Sequence, residues 1–167
     1  MDPVIFTVPL SPVSKGRPRV AVRGGKAHAY TPKKTKTFEA SVAMVAAIHI
    51  KERYTGPLRV DILAVLPRPK RLMRAKDAEG LVWAPKRPDQ DNLRKAILDG
   101  LATCYDDDAQ VCAGQTFKVY AEKTGKSRTV IAITPLESEA AQYPPLVTLS
   151  LLATMMDSPE TSSQPVL

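Results

Sequence analysis

Aspartates cluster between residues 89 and 108, and their spacing is the strongest chemical signal in the chain. Asp89 and Asp91 are one residue apart just before a helical pattern, and a run of three aspartates follows that pattern at 106–108. Carboxylate oxygens bind hard cations such as Mg²⁺, often with water or phosphate completing the shell. A metal held in this way neutralises a phosphate, activates a water and stabilises a leaving oxygen. The pattern therefore favours phosphodiester hydrolysis.

The residues between the two aspartate groups predict an amphipathic helix. Asp91, Lys95 and Asp99 are spaced by four and share one face. We expect Asp91 to cap the helix, and an extended backbone from Asp89 to Asp91 would turn both carboxylates to one side. Lys95, one turn into the helix, would then face the phosphate and stabilise its transition-state charge. A separate apolar stripe comprises Leu93, Ala96, Ile97, Gly100 and Leu101.

Each of these features also has an ordinary structural explanation. Aspartate often caps helices, a run of aspartates is often a solvated turn, and an Asp–Lys pair four residues apart is often an exposed ion pair. Together these explanations do not account for so many carboxylates in a basic protein, because like charges repel one another without a cation. A metal site is the favoured interpretation.

Two segments carry a resemblance to a known family. PDQDNLRKAILDGL at 88–101, followed by DDDAQV at 106–111, resembles the signature of RusA-type Holliday-junction resolvases of bacteria and their phages. A looser likeness runs from about Pro9 to Ile133. The resemblance implies magnesium, with manganese as a substitute, and it implies catalytic Lys95 supported by Asp107. The metal ligands it implies are Asp89, Asp91 and Asp108.

Charge also points to a nucleic-acid substrate. The net charge is +7, and the first 136 residues hold 24 basic and 13 acidic residues. A basic surface around an acidic pocket attracts a polyanion while the pocket recruits its cation. Solvated basic loops are the alternative explanation for the basic segments. The candidate DNA contacts are Lys15, Arg17, Arg19, Lys33, Lys34, Arg71, Lys86 and Arg87.

Several classes are disfavoured by what the sequence lacks. No apolar run reaches the roughly 18 residues of a membrane span, and the N-terminus has no signal-peptide pattern, so we expect a cytoplasmic protein without a membrane partner. Cys104 and Cys112 form no CxxC pair, which predicts reduced thiols. No motif for a small-molecule cofactor is present, and His49 is expected to be a packing or surface residue.

The remaining patterns predict one α+β domain with a mixed sheet of four or five strands and two principal helices. Expected elements are strands at 4–10, 58–66 and 111–122, a helix from Thr35 or Thr37 to Glu52, and an irregular connection at 67–86. Thr124-Gly125 predicts a hairpin turn leading to a partner strand at 128–133. The predicted nuclease domain is 1–135. The tail at 136–167, rich in Pro, Ser and Thr, docks on the body or a second subunit, or is disordered.

The residues predict a magnesium-dependent endodeoxyribonuclease, and the resemblance implies that it resolves Holliday junctions in DNA recombination and repair. A junction needs two symmetric nicks and the chain supplies one site, so a homodimer is expected. Two alternatives stay open. One is a nuclease acting on flaps or other branched DNA, and the other is a non-catalytic nucleic-acid-binding protein whose aspartates are caps and turns.

Overall fold

A computed structural model describes residues 3–136, which form an α+β domain as predicted. The helices are α1 (Lys33–His49) and α2 (Gln90–Leu101), with short 3₁₀ turns at Lys70–Leu72 and Asp108–Gln110. The apolar stretch at 146–156 lies outside the described residues, so the predictions about the tail stay predictions. The strands are β1 (Val4–Val8), β2 (Arg19–Arg23), β3 (Lys26–Tyr30), β4 (Leu58–Leu66), β5 (Val82–Trp83), β6 (Val111–Ala113), β7 (Thr116–Tyr120) and β8 (Arg128–Pro135).

The sheet is built around β4, which is buried along its whole length. Its strand order is β1-β8-β4-β7-β5, and β6 pairs with the start of β4, giving six strands where four or five were expected. The extra strands, β5 and β6, are too short to show an alternating pattern. The predicted hairpin between the last two strands is wrong. Instead, β4 lies between these two strands, and it pairs with β8 in antiparallel and with β7 in parallel orientation.

The predicted single strand at 111–122 is interrupted at Gly114. This glycine has a φ of 138°, and a Cβ there would lie 1.9 Å from the Val60 carbonyl oxygen. No other residue fits such a close backbone approach. Beside the break, the buried Asp61 carboxylate accepts the Gln115 N–H at 2.8 Å and pairs with buried Arg59 at 2.5 Å. The chain therefore leaves β4 after β6 and pairs with it again as β7. The turn at residues 106–110, which precedes β6, lies near α2.

Both helices pack on one face of the sheet. The apolar stripe of α2 is buried as predicted, and α1 buries Phe38, Val42 and Ala46. The helices approach closely at Gly100, where a Cβ would lie 2.7 Å from the Val42 Cβ. The predicted start of α1 is wrong, because the helix begins after Pro32 and no side chain caps it. Thr35 is buried instead, and its hydroxyl accepts the Gly16 N–H at 3.3 Å.

The basic segment before α1 contains a two-stranded hairpin, β2–β3, where the sequence suggested a loop. Gly24 and Gly25 supply its turn, with φ angles of 56° and 75° that suit a two-residue hairpin. Elsewhere the packing prediction for His49 is confirmed, since its ring stacks on Phe6 with centroids 5.4 Å apart. Both cysteines are free thiols. In residues 3–136, the helices are too short or too polar to cross a bilayer.

Candidate active site

The polar face of α2 forms one wall of a cavity. Asp91, Lys95 and Asp99 line it together, which confirms that the four-residue spacing places them on one face. Asp108 lies on the other side, so the structure brings both aspartate groups to one space of about 270 Å³. The remaining lining residues are Arg94, Leu98, Tyr105 and Val111.

The start of α2 differs from the prediction by two residues. Asp89, and not Asp91, is the N-cap, with extended backbone angles of −73° and 145°, and its carboxylate makes no capping hydrogen bond. The cis bond between Arg87 and Pro88 precedes it. Asp91 therefore sits in the first helical turn, where the positive end of the helix dipole favours a carboxylate. Its side chain is exposed toward the cavity, whereas Asp89 is not among the residues that line it.

The three consecutive aspartates have three different roles. Asp106 forms an exposed ion pair with Arg53 at 3.4 Å. Asp107 is the N-cap of the 3₁₀ turn, and its Oδ1 accepts the Ala109 N–H at 2.7 Å. Only Asp108 of the three lines the cavity. This division explains the crowding of carboxylates and places Asp107, expected beside the catalytic group, in support of the turn that carries Asp108.

Gln110 holds this turn in place, a role that no local sequence pattern predicted. Its Oε1 accepts the N–H groups of Asp106 and Asp107 at 2.7 and 2.8 Å. Its Nε2 donates to the carbonyls of Tyr54 and Gly56 at 3.2 and 2.8 Å. The amide thus joins the aspartate run to the segment before β4. Only a side chain with both acceptor and donor atoms can make all four bonds.

Arg94 and Tyr105 form the deeper part of the cavity. Burial lowers the pKa of Arg94 from its ordinary value, and its Nη1 donates to the Val60 carbonyl at 3.0 Å and to the Thr116 hydroxyl at 3.2 Å. Burial, with the nearby Asp108 charge, raises the pKa of Tyr105 well above its usual range, so this phenol stays neutral. Its hydroxyl donates to the Leu98 carbonyl at 2.9 Å. Arg94 remains charged and adds a fixed cation beside the carboxylates.

The structure places Lys15 differently from the other predicted DNA contacts. The Lys15 ammonium pairs with Glu39 of α1 at 2.6 Å and with Asp99 of α2. The backbone N–H of Lys15 donates to the Asn92 carbonyl at 2.8 Å. Burial lowers the pKa of Lys15, but the hydrogen bonds to Asp99 and Glu39 outweigh it and raise the pKa. Lys15 therefore anchors the basic segment to both helices.

Two of the other predicted DNA contacts lie near the start of α2. Arg17 and Lys34 line a larger cavity of about 720 Å³ that also includes Pro88, next to the N-cap. Lys33, Arg71, Lys86 and Arg87 are exposed. Arg19 lies in β2. Within residues 3–136, ion pairs are absent from the remaining predicted contacts with described side chains: Arg17, Lys33, Lys34, Arg71, Lys86 and Arg87.

Comparison with known proteins shows the family of the chain. Residues 9–134 match the family model of endodeoxyribonuclease RusA. The chain belongs to the RusA family. It is also 38% identical over 130 residues to the uncharacterized protein YqaN of Bacillus subtilis strain 168, a match that covers 74% of this chain and 92% of that protein. The region matched by the family model, residues 9–134, includes both aspartate groups, Lys95 and every strand from β2 to β7.

The donor atoms of this RusA-family cavity suit a hard divalent cation. Asp91 and Asp108 supply carboxylate oxygens from facing elements, and Mg²⁺ in proteins often takes only one or two carboxylates. Within residues 3–136, no three His, Cys, Asp or Glu side chains converge closely enough to enclose a metal by themselves. The residues thus fit an ion completed by water and phosphate. The assignment of Asp89 as a third ligand stays a prediction.

Proposed function

We propose that this RusA-family protein is a magnesium-dependent endodeoxyribonuclease that resolves four-way DNA junctions in recombination and repair. The observation that carries the proposal is the shared cavity, in which Asp108 of the 3₁₀ turn lies across from Asp91 and Lys95 of α2. A fold that needed these aspartates only as caps would not require Asp91 and Asp108 to line one cavity. Neither is an N-cap: Asp89 occupies that position in α2 without a side-chain hydrogen bond, and Asp107 caps the 3₁₀ turn.

Four of the charged groups that line the cavity have distinct tasks in phosphodiester hydrolysis, while Asp99 pairs with Lys15. Asp91 and Asp108 would hold Mg²⁺, which when bound neutralises the phosphate and lowers the pKa of its water. Lys95, one helical turn from Asp91, is exposed and stabilises the added negative charge of the transition state. Arg94, fixed by Val60 and Thr116, keeps a second positive charge near the same phosphate.

The distribution of cations supports DNA as the substrate. Arg17 and Lys34 border the larger cavity beside Pro88, and Lys86 and Arg87 lead directly into the N-cap. Exposed Lys and Arg side chains contact phosphates and set the register of a duplex without reading its sequence. We therefore infer that DNA arms enter across the first turn of α2.

A dimer supplies the second cut. Two symmetric nicks need two sites, and a C2 pair is the simplest arrangement of two identical chains. We expect light scattering without DNA to give about 36 kDa, twice the 18.2 kDa chain. Mixed dimers of wild-type and Asp91→Asn chains should nick one strand but seldom resolve the junction. A monomer at micromolar concentration that still makes paired cuts contradicts this part of the proposal.

The test is cleavage of matched DNA substrates with and without magnesium. A labelled four-way junction, a flap and a linear duplex sharing one arm sequence are incubated in Mg²⁺ or in chelator. The proposal expects paired symmetric cuts in the junction, only in Mg²⁺. Faster cutting of the flap would favour the broader branched-DNA nuclease, and intact DNA in every lane, despite tight binding, would favour a non-catalytic binding protein.

A further inference from the structure

The only tryptophan of the chain lies on the protein surface. Trp83 belongs to β5 and is 63% exposed. Among the described residues its ring stacks on no other aromatic ring and its indole makes no hydrogen bond. Tryptophan is highly buried on average, so this exposed ring beside a cavity is a candidate binding surface.

The segment that carries Trp83 is firmly held. The Arg68 guanidinium donates to the carbonyls of Leu72 and Gly80, each at 2.8 Å, and to that of Ala78 at 2.6 Å. It also reaches the Ala121 carbonyl at 3.2 Å. Arg68 therefore organises the connection at 67–81, which the sequence predicted to be irregular, and is not itself available to DNA. An aromatic ring on a fixed support binds with less loss of conformational entropy.

Beside the ring is a cavity with a basic rim. It measures about 270 Å³ and is lined by Trp83, Pro85, Leu72 and Arg71, among others. This is just below the range of about 300–1,000 Å³ typical of small-molecule sites, which suits a single base. Its charged lining residues are Arg68, Arg71 and Asp77, and Asp77 is paired with Arg74. Three exposed lysines that form no ion pair within residues 3–136 are each adjacent in sequence to a lining residue: Lys70, Lys76 and Lys86.

Trp83 lies six residues before Asp89, the N-cap of α2. It pairs with Val119 of β7, whose side chain packs on the face of the sheet away from the helices, so the ring lies on that face at the edge of the sheet. The segment between Trp83 and Asp89 leads from this edge to the candidate active site. Lys118 fixes the intervening segment, because its Nζ donates to the Lys86 carbonyl at 2.9 Å and the Pro88 carbonyl at 2.7 Å.

We propose that Trp83 stacks on a base at the branch point of the bound DNA, while Arg71 and its basic neighbours hold the adjoining phosphates. Within a duplex every base face is covered, but a branch point interrupts the stack and exposes faces. Aromatic side chains bind such faces without regard to sequence. The positive rim favours nucleic acid over an apolar protein partner. The inference rests on the proposed function and assigns it a residue that recognises branching.

Because the chain has one tryptophan, its fluorescence reports on this position alone. The protein is titrated with four-way junction and with linear duplex in chelator, while anisotropy of labelled DNA measures binding separately. We expect the junction to quench the emission and the duplex to leave it nearly unchanged. Trp83→Ala should weaken junction binding by roughly 5- to 150-fold, Trp83→Phe should restore most of it, and duplex binding should change little.

Ile48→Ala is the control, since Ile48 is 62% exposed on α1 and has no proposed role. Unchanged emission at saturating junction, or equal quenching by duplex, overturns the stacking role and leaves the proposed function standing. The stacking role is also overturned if the emission changes with protein concentration in the absence of DNA and Trp83→Ala has a smaller mass in solution than the wild type. Both results would place Trp83 in a contact between subunits. Failure to bind or cut any junction contradicts the proposed function itself.

Discussion

Replacing Gln110 with alanine should impair catalysis without unfolding the protein. The change removes four hydrogen bonds, two accepted from Asp106 and Asp107 and two donated to Tyr54 and Gly56. Each contributes about 0.5–1.5 kcal/mol net, and three of the four are exposed, so a loss of about 2 kcal/mol is expected. A domain of this kind is stable by about 5–15 kcal/mol, so it stays folded.

The local effect is larger because Asp108 loses the support of its turn. A displacement of about 1 Å in a catalytic group can lower a rate by about 100-fold. We expect single-turnover junction cleavage by Gln110→Ala to slow by about 10- to 100-fold and to need more Mg²⁺ for half its maximal rate.

The matched control is Gln115→Ala, which removes the same atoms five residues away. Only backbone atoms of Gln115 make hydrogen bonds, so this variant should cut at nearly the wild-type rate. Urea denaturation of both variants measures the free energy of unfolding. The reasoning is refuted if Gln110→Ala is destabilised by about 2 kcal/mol as expected, yet keeps the wild-type rate and magnesium dependence.

Three further predictions concern the helices and the tail. Lys95→Ala should bind the junction nearly normally but cut about 100-fold more slowly, with incomplete rescue by arginine; weakened binding at an unchanged single-turnover rate would make Lys95 a mere backbone contact. Gly100→Ala should lower the free energy of unfolding by about 1–3 kcal/mol in urea, because its Cβ would lie 2.7 Å from the Val42 Cβ; equal or greater stability would contradict this packing. Truncation after Leu136 should leave DNA cleavage intact, and a folded but inactive product would assign the tail a catalytic role. The chain is shortened at this point because β8 runs to Pro135 and the Leu136 backbone N–H donates to the Pro57 carbonyl at 2.9 Å.

Local patterns in the sequence predicted the elements that carry the site. The apolar stripe from Leu93 to Leu101 and the alternation of Leu58 to Leu66 predicted the buried face of α2 and the bounds of β4. Such patterns report burial directly, because each depends on residues close in sequence. The four-residue spacing likewise predicted that Asp91, Lys95 and Asp99 share a face. The ends of α2 were less accurate, because the N-cap lies two residues earlier than predicted and the helix ends at Leu101 without the expected left-handed exit near Thr103 or Cys104.

Contacts between distant residues were not predictable in this way. The hairpin assigned to β7 and β8 failed because β4, far earlier in the chain, lies between them. Lys15 was expected on the DNA, but Glu39 and Asp99 are distant in sequence and surround its ammonium. The roles of Gln110 and Arg68 depend on carbonyls whose positions only the folded chain defines. Reasoning from one sequence therefore identified the charged residues but not the distant groups that they contact.

The aspartate run itself offers the most direct test of the central claim, that Asp108 belongs to a metal-dependent nuclease site and Asp106 does not. Asp106→Asn and Asp108→Asn make the same chemical change two residues apart, and both are assayed for single-turnover cleavage of a four-way junction across a range of Mg²⁺. Asp106 contributes only an exposed ion pair with Arg53, so its variant should cut at nearly the wild-type rate. Asp108→Asn should bind the junction but leave it uncut at magnesium concentrations that saturate the wild type. Cleavage by Asp108→Asn at the rate of Asp106→Asn would contradict the account.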